Sequence, residues 1–308
     1  MKLYKNMKYL ITGGSGLVGN DITKILLANK NEVNWLTNSN KNKEQVHSFK
    51  WNIDDYTIDL QCFKNVDTII HLAGAGVADK NWTAERKKEL IDSRIKSTKL
   101  LYESVKNLAD KPKVIVAASA IGIYRNEGDK LLDEESEKGN DFLATLTKDW
   151  EKEVDEFEKI GVRVVKLRIG IVLSDNGGYL KKVAAPAKFG FASALGNGKM
   201  ITSWIHIEDL ANLFIYAANN ENMKGEYNAV APNPITNFEI TKQIALALNK
   251  PFFMPNVPSF ILKIIFGEMA SVILMSQNIS SSKIEKTGFK FEFEDIKNAL
   301  KNIYNTKK

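Results

Sequence analysis

Apolar residues along this chain fall into short continuous runs, separated by longer stretches in which they recur every three or four positions. The runs are YLITG, EVNWLT, HSFKW, DTIIHLAG, KVIVAASA and VRVVKLRIG, and between them lie DITKILLANK, ERKKELIDSRIKSTKLLYESVKNL and FLATLTKDWEKEVDEFEKI. Short unbroken apolar runs read as strands buried on both faces, and the periodic stretches as the helices that cover them. Their alternation predicts an α/β protein built on a doubly wound parallel sheet. After about Gly170 the rhythm changes. SWIHIEDLANLFIYAAN, GEYNAVAPNPITNFEITKQIALAL and the segment from Pro251 to Met275 mix short strands with helices, which predicts a smaller C-terminal α+β lobe. The chain thus divides into residues 1–170 and 171–308, with an approximate boundary across which the lobes can interleave. No flexible linker separates them, so they should pack closely around a cleft.

Composition narrows this only a little. With 308 residues, 44% hydrophobic and 26% charged, the chain can build a proper core. Its net charge of +6 is spread over Lys- and Asn-rich faces with no basic run interleaved with aromatics, so no nucleic-acid partner is expected. Cys62 is the only cysteine, which excludes an internal disulfide and a thiolate cluster, and the three histidines are far apart, so no metal site is expected. Lys263, Gly267, Glu268 and three prolines interrupt the apolar Pro251–Met275 stretch, so it predicts buried helices of the second lobe, with an interfacial helix as the other arrangement. No membrane span or signal peptide is read, and a reducing cytoplasm is the expected location.

The first strand runs into ITGGSGLVG. Gly14, Gly16 and Gly19 satisfy G-x-G-x-x-G between an apolar strand and a helix. That arrangement suits a dinucleotide: a tight turn, backbone amides close to a pyrophosphate, and a helix packed on its strand. The positive end of the helix then faces the phosphates. The second strand ends at Asn38 and Ser39, without the acid that would grip a ribose 2′-hydroxyl, and Lys41 and Lys43 follow. This favours NADP, with NAD as the other possibility.

With these residues in place, TGGSGLVG, HLAGAGV, NWTAERKKELIDSRIKSTKLL, AASAIGIY, LRIGIVLSDNGG and SWIHIEDLA together resemble the extended, atypical short-chain dehydrogenases/reductases. The likeness is to the NAD-dependent epimerase/dehydratase family, its sugar-nucleotide epimerase group, and runs in order from about Met7 to the C-terminus. It implies a Rossmann domain followed by a substrate-binding lobe. It would place the pyrophosphate on Gly13, Gly14, Ser15, Gly16, Leu17, Val18 and Gly19, and the adenosine phosphate end near Asn38 and Ser39. The adenine edge would lie near Trp51 and Asn52, and the nicotinamide-side ribose near Leu72, Ala73 and Gly74. Ala118 and Ser119 would line the nicotinamide.

Enzymes of this superfamily use a Tyr-x-x-x-Lys pair on one helix face, in which the lysine helps bring the phenol into working range. Aligned on Trp150–Glu151, those positions fall on Leu143 and Thr147, and the usual serine falls on Ala120. The set is missing. Tyr124, just past the fifth strand, is the candidate replacement acid–base, with Ser119 polarising a carbonyl; alternatively both are packing residues. Lys148 should face solvent. His71 reads as a core histidine, and His206 as a structural residue with Asp209 capping or bridging. Arg86, Arg94 and Lys96 form a solvated face or reach an anionic substrate, and Arg168 either anchors an anion in the cleft or pairs between lobes. The expected function is NADP-dependent oxidoreduction or epimerisation of a small carbonyl or nucleotide-linked sugar. The alternative is a non-catalytic NADP(H) sensor or scaffold. A small-molecule partner is expected, no membrane, and a homodimer is possible.

Overall fold

The computed structural model describes residues 7–38 and 43–305. Ser39 and Lys41 lie outside the described residues. The six strand-like runs and two further strands form one sheet: β1 (Lys8–Thr12), β2 (Glu32–Thr37), β3 (Val46–Asn52), β4 (Thr57–Ile58), β5 (Thr68–His71), β6 (Val114–Ala120), β7 (Arg163–Ile169) and β8 (Gly225–Ala229), of which β4 and β8 are the further two. Their order across the sheet is β8-β7-β6-β5-β1-β2-β3-β4, and within it only β4 runs antiparallel to its neighbour. This is a Rossmann-type α/β fold.

Side chains alternate across the sheet as strand geometry requires. Leu10, Ile69 and Ile115 face one side, under the helices α2 (Ala84–Lys106) and α3 (Phe142–Asp155), with Leu101 and Trp150. Ile11, Ile70 and Val116 face the other, under α1 (Leu17–Ala28) and α5 (Ile207–Asn219), with Ile22, Leu26, Leu210 and Phe214. A third core, with Leu180 on α4 (Gly178–Ala187), Trp204, Ile240 and Ile244 on α6 (Asn237–Ala247), and Leu300, builds the C-terminal lobe.

The chain crosses the boundary expected near residue 170 and then returns. β8 completes the main sheet beside β7, and α5 packs on α1, so residues 207–229 belong to the first layer system. The apolar segment after Pro251 differs from expectation. Helix α7 (Ser259–Phe266) buries only Leu262 and leaves Phe260, Ile264 and Ile265 exposed. Its apolar residues Phe260, Ile261, Leu262, Ile264, Ile265 and Phe266 spread well beyond one stripe, and a single helix lying on a lobe can bury only one. None of the described helices is long and apolar enough to cross a membrane.

Candidate active site

Sheet order reverses between β1 and β5, so their carboxyl ends open a crevice, the place where such sheets bind ligands. The glycine loop sits there. Gly13 takes a left-handed φ of 69° and brings its α-carbon so close to Leu72 and Ala73 that a Cβ would lie 3.1 Å from the Leu72 carbonyl. Gly14 lies flat on the Trp35 indole, and any side chain there would collide with the ring. Gly19 faces the backbone of Gly13 and Gly14; a Cβ would stand 2.7 Å from Gly14 Cα. The third glycine therefore packs the helix on the loop rather than on the strand. Helix α1 starts from Gly16 with no side-chain cap and no acid in its first turn. Its orphan amides and positive dipole end are left for an anion, so the cradle fits a dinucleotide pyrophosphate.

Beyond the loop, Asn38, Trp51 and Asn52 line one hollow of about 450 Å³ with Lys50, Asp55 and Thr57. The three residues expected at the adenosine end thus come together. The Asn52 side chain is occupied in its own turn, accepting from the Asp54 and Asp55 amides. Lys43 lies over the Trp35 ring and donates to Asn20 Oδ1 at 3.0 Å, on the first turns of α1.

On the other side of the glycine loop, the Leu72 and Ala73 amides both donate to Thr12 Oγ1 at 3.1 Å. With its lone pairs so used, the Thr12 hydroxyl donates to His71 Nδ1 at 2.8 Å. This network assigns the proton to His71 Nε2, which reaches Thr98 Oγ1 at 2.9 Å, and Thr98 in turn donates to the Arg94 carbonyl at 2.7 Å. Burial, with the Arg94 charge adding to it, pushes the His71 pKa down to about 3. It is a core histidine, held neutral. Gly74 has Arg94 against it: a Cβ there would lie 3.1 Å from Arg94 Cζ.

At the end of β6 the structure corrects the acid–base assignment. Tyr124 is fully buried; its hydroxyl donates to Asn228 Oδ1 at 2.6 Å and accepts from Arg168 Nη1 at 2.9 Å. Burial raises its pKa well above the ordinary phenol value. A phenol so enclosed and so partnered is packing, not a proton donor at the cleft. Ser119, 4% exposed, spends its hydroxyl on Glu151 Oε1 at 2.6 Å, so it is not aimed at a substrate carbonyl either. Ala118 is half-buried on the same strand. Leu143 and Thr147, where the phenol and amine would be, are buried, and the Thr147 hydroxyl donates back to the Leu143 carbonyl at 2.8 Å.

Arg168 is neither a cleft anion anchor nor a bridge between lobes. It is fully buried and grips Glu151 of α3 at two points, Nε to Oε1 at 2.8 Å and Nη2 to Oε2 at 2.9 Å. Lys148 is half-buried and donates to the Gly139 carbonyl at 3.0 Å instead of facing solvent. His206 caps α5, Nδ1 accepting from the Glu208 amide at 3.2 Å, and burial pushes its pKa down to about 4. Asp209 bridges to the C-terminal segment by accepting from the Glu292 and Phe293 amides. Lys96 remains on the surface beside Asp92. Arg86 is buried against the Gly76 carbonyl and pairs with Glu89 at 2.6 Å. Sequence reasoning missed Glu151, Asn228 and Trp35. A signal for Glu151 was present: an acid on the apolar face of α3, which requires a buried cation.

Comparison with known proteins shows the family and the fold. The model of the NAD dependent epimerase/dehydratase family matches residues 9–147, and a domain of unknown function matches residues 257–303. An epimerase family protein of Staphylococcus aureus (strain MRSA252) is 34% identical over 302 residues, 96% of this chain and 98% of its own length. A human epimerase family protein crystallised with NADPH is 27% identical, with a TM-score of 0.85 over 97% of this chain and 99% of that one. A nucleoside-diphosphate sugar epimerase from Corynebacterium glutamicum is 29% identical with a TM-score of 0.79, covering 98% of this chain and 59% of that one.

Proposed function

The chain belongs to the NAD-dependent epimerase/dehydratase family, and from that premise we propose that it binds NADP(H) across the carboxyl ends of its sheet and serves hydride transfer on a small carbonyl or nucleotide-linked sugar. The observation that carries this reading is the uncapped amino end of α1 above the Gly13–Gly19 cradle, at the point where the strand order reverses. A dinucleotide laid there has its adenosine in the hollow of Asn38, Trp51 and Asn52. Its nicotinamide half then falls on the far side, by the ends of β5 and β6. The absence of an acid at Thr37–Asn38, together with Lys43 close by, supports the phosphorylated cofactor. NADPH in the human relative supports it as well.

When bound, the nicotinamide supplies or takes the hydride. The main-chain amides of the Gly13–Gly19 loop would hold the pyrophosphate, and Leu72, Ala73 and Gly74 would shape the ribose site, with Ala118 beside the nicotinamide. Tyr124 and Ser119 are turned inward, so reduction of a carbonyl draws its proton from solvent and oxidation of a carbinol returns one to it.

That inward turn also favours the second reading, a nucleotide-binding sensor or scaffold without turnover. Calorimetry with NADPH tests the binding: micromolar or tighter association is expected, and no association with folded protein overturns it. A panel of small aldehydes, ketones and nucleotide-linked sugars separates the readings. Steady NADPH oxidation, or conversion of a nucleotide-linked sugar into its epimer, supports the enzyme; tight binding with neither supports the sensor.

A further inference from the structure

Arg94 rises from α2 against the loop that follows β5. Its guanidinium donates to the Leu90 carbonyl at 3.1 Å and to the Ala75 carbonyl at 3.0 Å, and lies 5.2 Å from the centre of the Trp150 ring. Gly74 has no side chain to keep it away. Both bonds end on carbonyl oxygens, and among the described residues no carboxylate pairs with it. The neighbouring cation, Arg86, has its own acid in Glu89. Burial, and then Arg86, push the Arg94 pKa down to about 10, so it remains charged at neutral pH, and its charge in turn disfavours protonation of His71.

Trp150, which carries this charge, stands three residues after Thr147, on the same face of α3. Thr147 is where the resemblance expects a lysine. A fixed cation is therefore present beside the β5 loop, but it is delivered from α2. We propose that Arg94 takes the electrostatic place of the missing α3 lysine, and that its uncompensated charge makes the site hold the reduced, uncharged nicotinamide in preference to the oxidised, cationic one. The inference rests on the reading that NADP(H) binds with its nicotinamide half beside the β5 loop. Two like charges in a partly buried site repel by an amount that makes about a tenfold difference in affinity a modest expectation.

The test is the ratio of dissociation constants for NADP⁺ and NADPH, measured by calorimetry on the wild type, Arg94→Met and Arg94→Lys. The wild type should favour NADPH by about tenfold or more. Arg94→Met should bring the ratio close to one, and Arg94→Lys, which keeps the charge, should restore it. A purely structural role in holding the Ala75 carbonyl would weaken both nucleotides alike and leave the ratio unmoved. Should Arg94→Met not fold, Arg94→Gln, which keeps donors for that carbonyl, carries the same comparison. An unchanged ratio in the neutral variant overturns the inference while NADPH binding stands, and so does an Arg94→Lys protein that behaves like the neutral one. Failure of the wild type to bind either nucleotide overturns the proposed function, and this inference with it.

Discussion

The Glu151 carboxylate and the Arg168 guanidinium meet through two parallel contacts of 2.8 and 2.9 Å, in a place that solvent scarcely reaches. Ser119, Tyr124 and the Glu134 carbonyl complete their hydrogen bonding, and Asn228 accepts from the Tyr124 hydroxyl behind them. The network joins β6, β7, β8 and α3, just beneath the end of the sheet where chemistry is expected. It makes that floor rigid.

Removing one member strands a charge. Arg168→Met or Glu151→Met should each cost about 3–5 kcal/mol of unfolding free energy, whereas the double variant should recover much of the loss. Urea midpoints of the three proteins check this. The pairing keeps the Glu151 pKa below its usual 4.5, so its contribution is complete above that pH and is lost as the pH falls further.

Tyr124→Phe is expected to lose stability rather than function. It leaves Asn228 Oδ1 and one Arg168 donor short of a partner, worth about 1–3 kcal/mol. NADPH affinity should stay within about twofold of wild type, a factor of roughly 0.4 kcal/mol. A large fall in affinity with unchanged stability would contradict the geometry.

Gly19→Ala should damage the cradle more than Gly16→Ala. The new methyl at residue 19 meets Gly14 Cα at 2.7 Å, whereas at residue 16 its closest neighbour is the Gly13 carbonyl at 3.1 Å. Overpacking of the first kind costs about 1–3 kcal/mol. Paired thermal melts with and without NADPH should show a lower melting point for Gly19→Ala and the smaller ligand-induced rise.

His71 and His206 are both buried and neutral, with pKa values down at about 3 and about 4. Each titrates near 6.5 once unfolded, so the unfolded chain binds more protons and acid favours it. Between about pH 6.5 and 4 each histidine should contribute a loss of about 1.4 kcal/mol per pH unit. Stability measured at successive pH values should fall across this window, and His71→Asn should flatten the slope.

Much of this architecture was legible in the residues. Short apolar runs such as DTIIHLAG and KVIVAASA, set between helical stretches, read as central parallel strands, and the glycine spacing marked the cradle because strand and helix flanked it. Side-chain direction was not legible. Tyr124 and Ser119 stand where a substrate side was expected, yet Tyr124 turns to accept from the buried Arg168 guanidinium and Ser119 to donate to the buried Glu151 carboxylate, because buried charges must be satisfied. The partners lie far apart along the chain, with Asn228 more than a hundred residues beyond Tyr124. Helix α7 misled for another reason: a largely apolar sequence says that a helix is sticky, not which stripe is covered.

The late position of β8 has a consequence for how the molecule is made. Until residues 225–229 leave the ribosome, β7 is an open edge, and the face that α5 will cover is bare hydrocarbon. A gene fragment stopping near codon 170 would therefore yield a sticky half-product, however complete its glycine motif looks. The sheet that carries the nucleotide seat is closed only by residues from beyond the expected boundary.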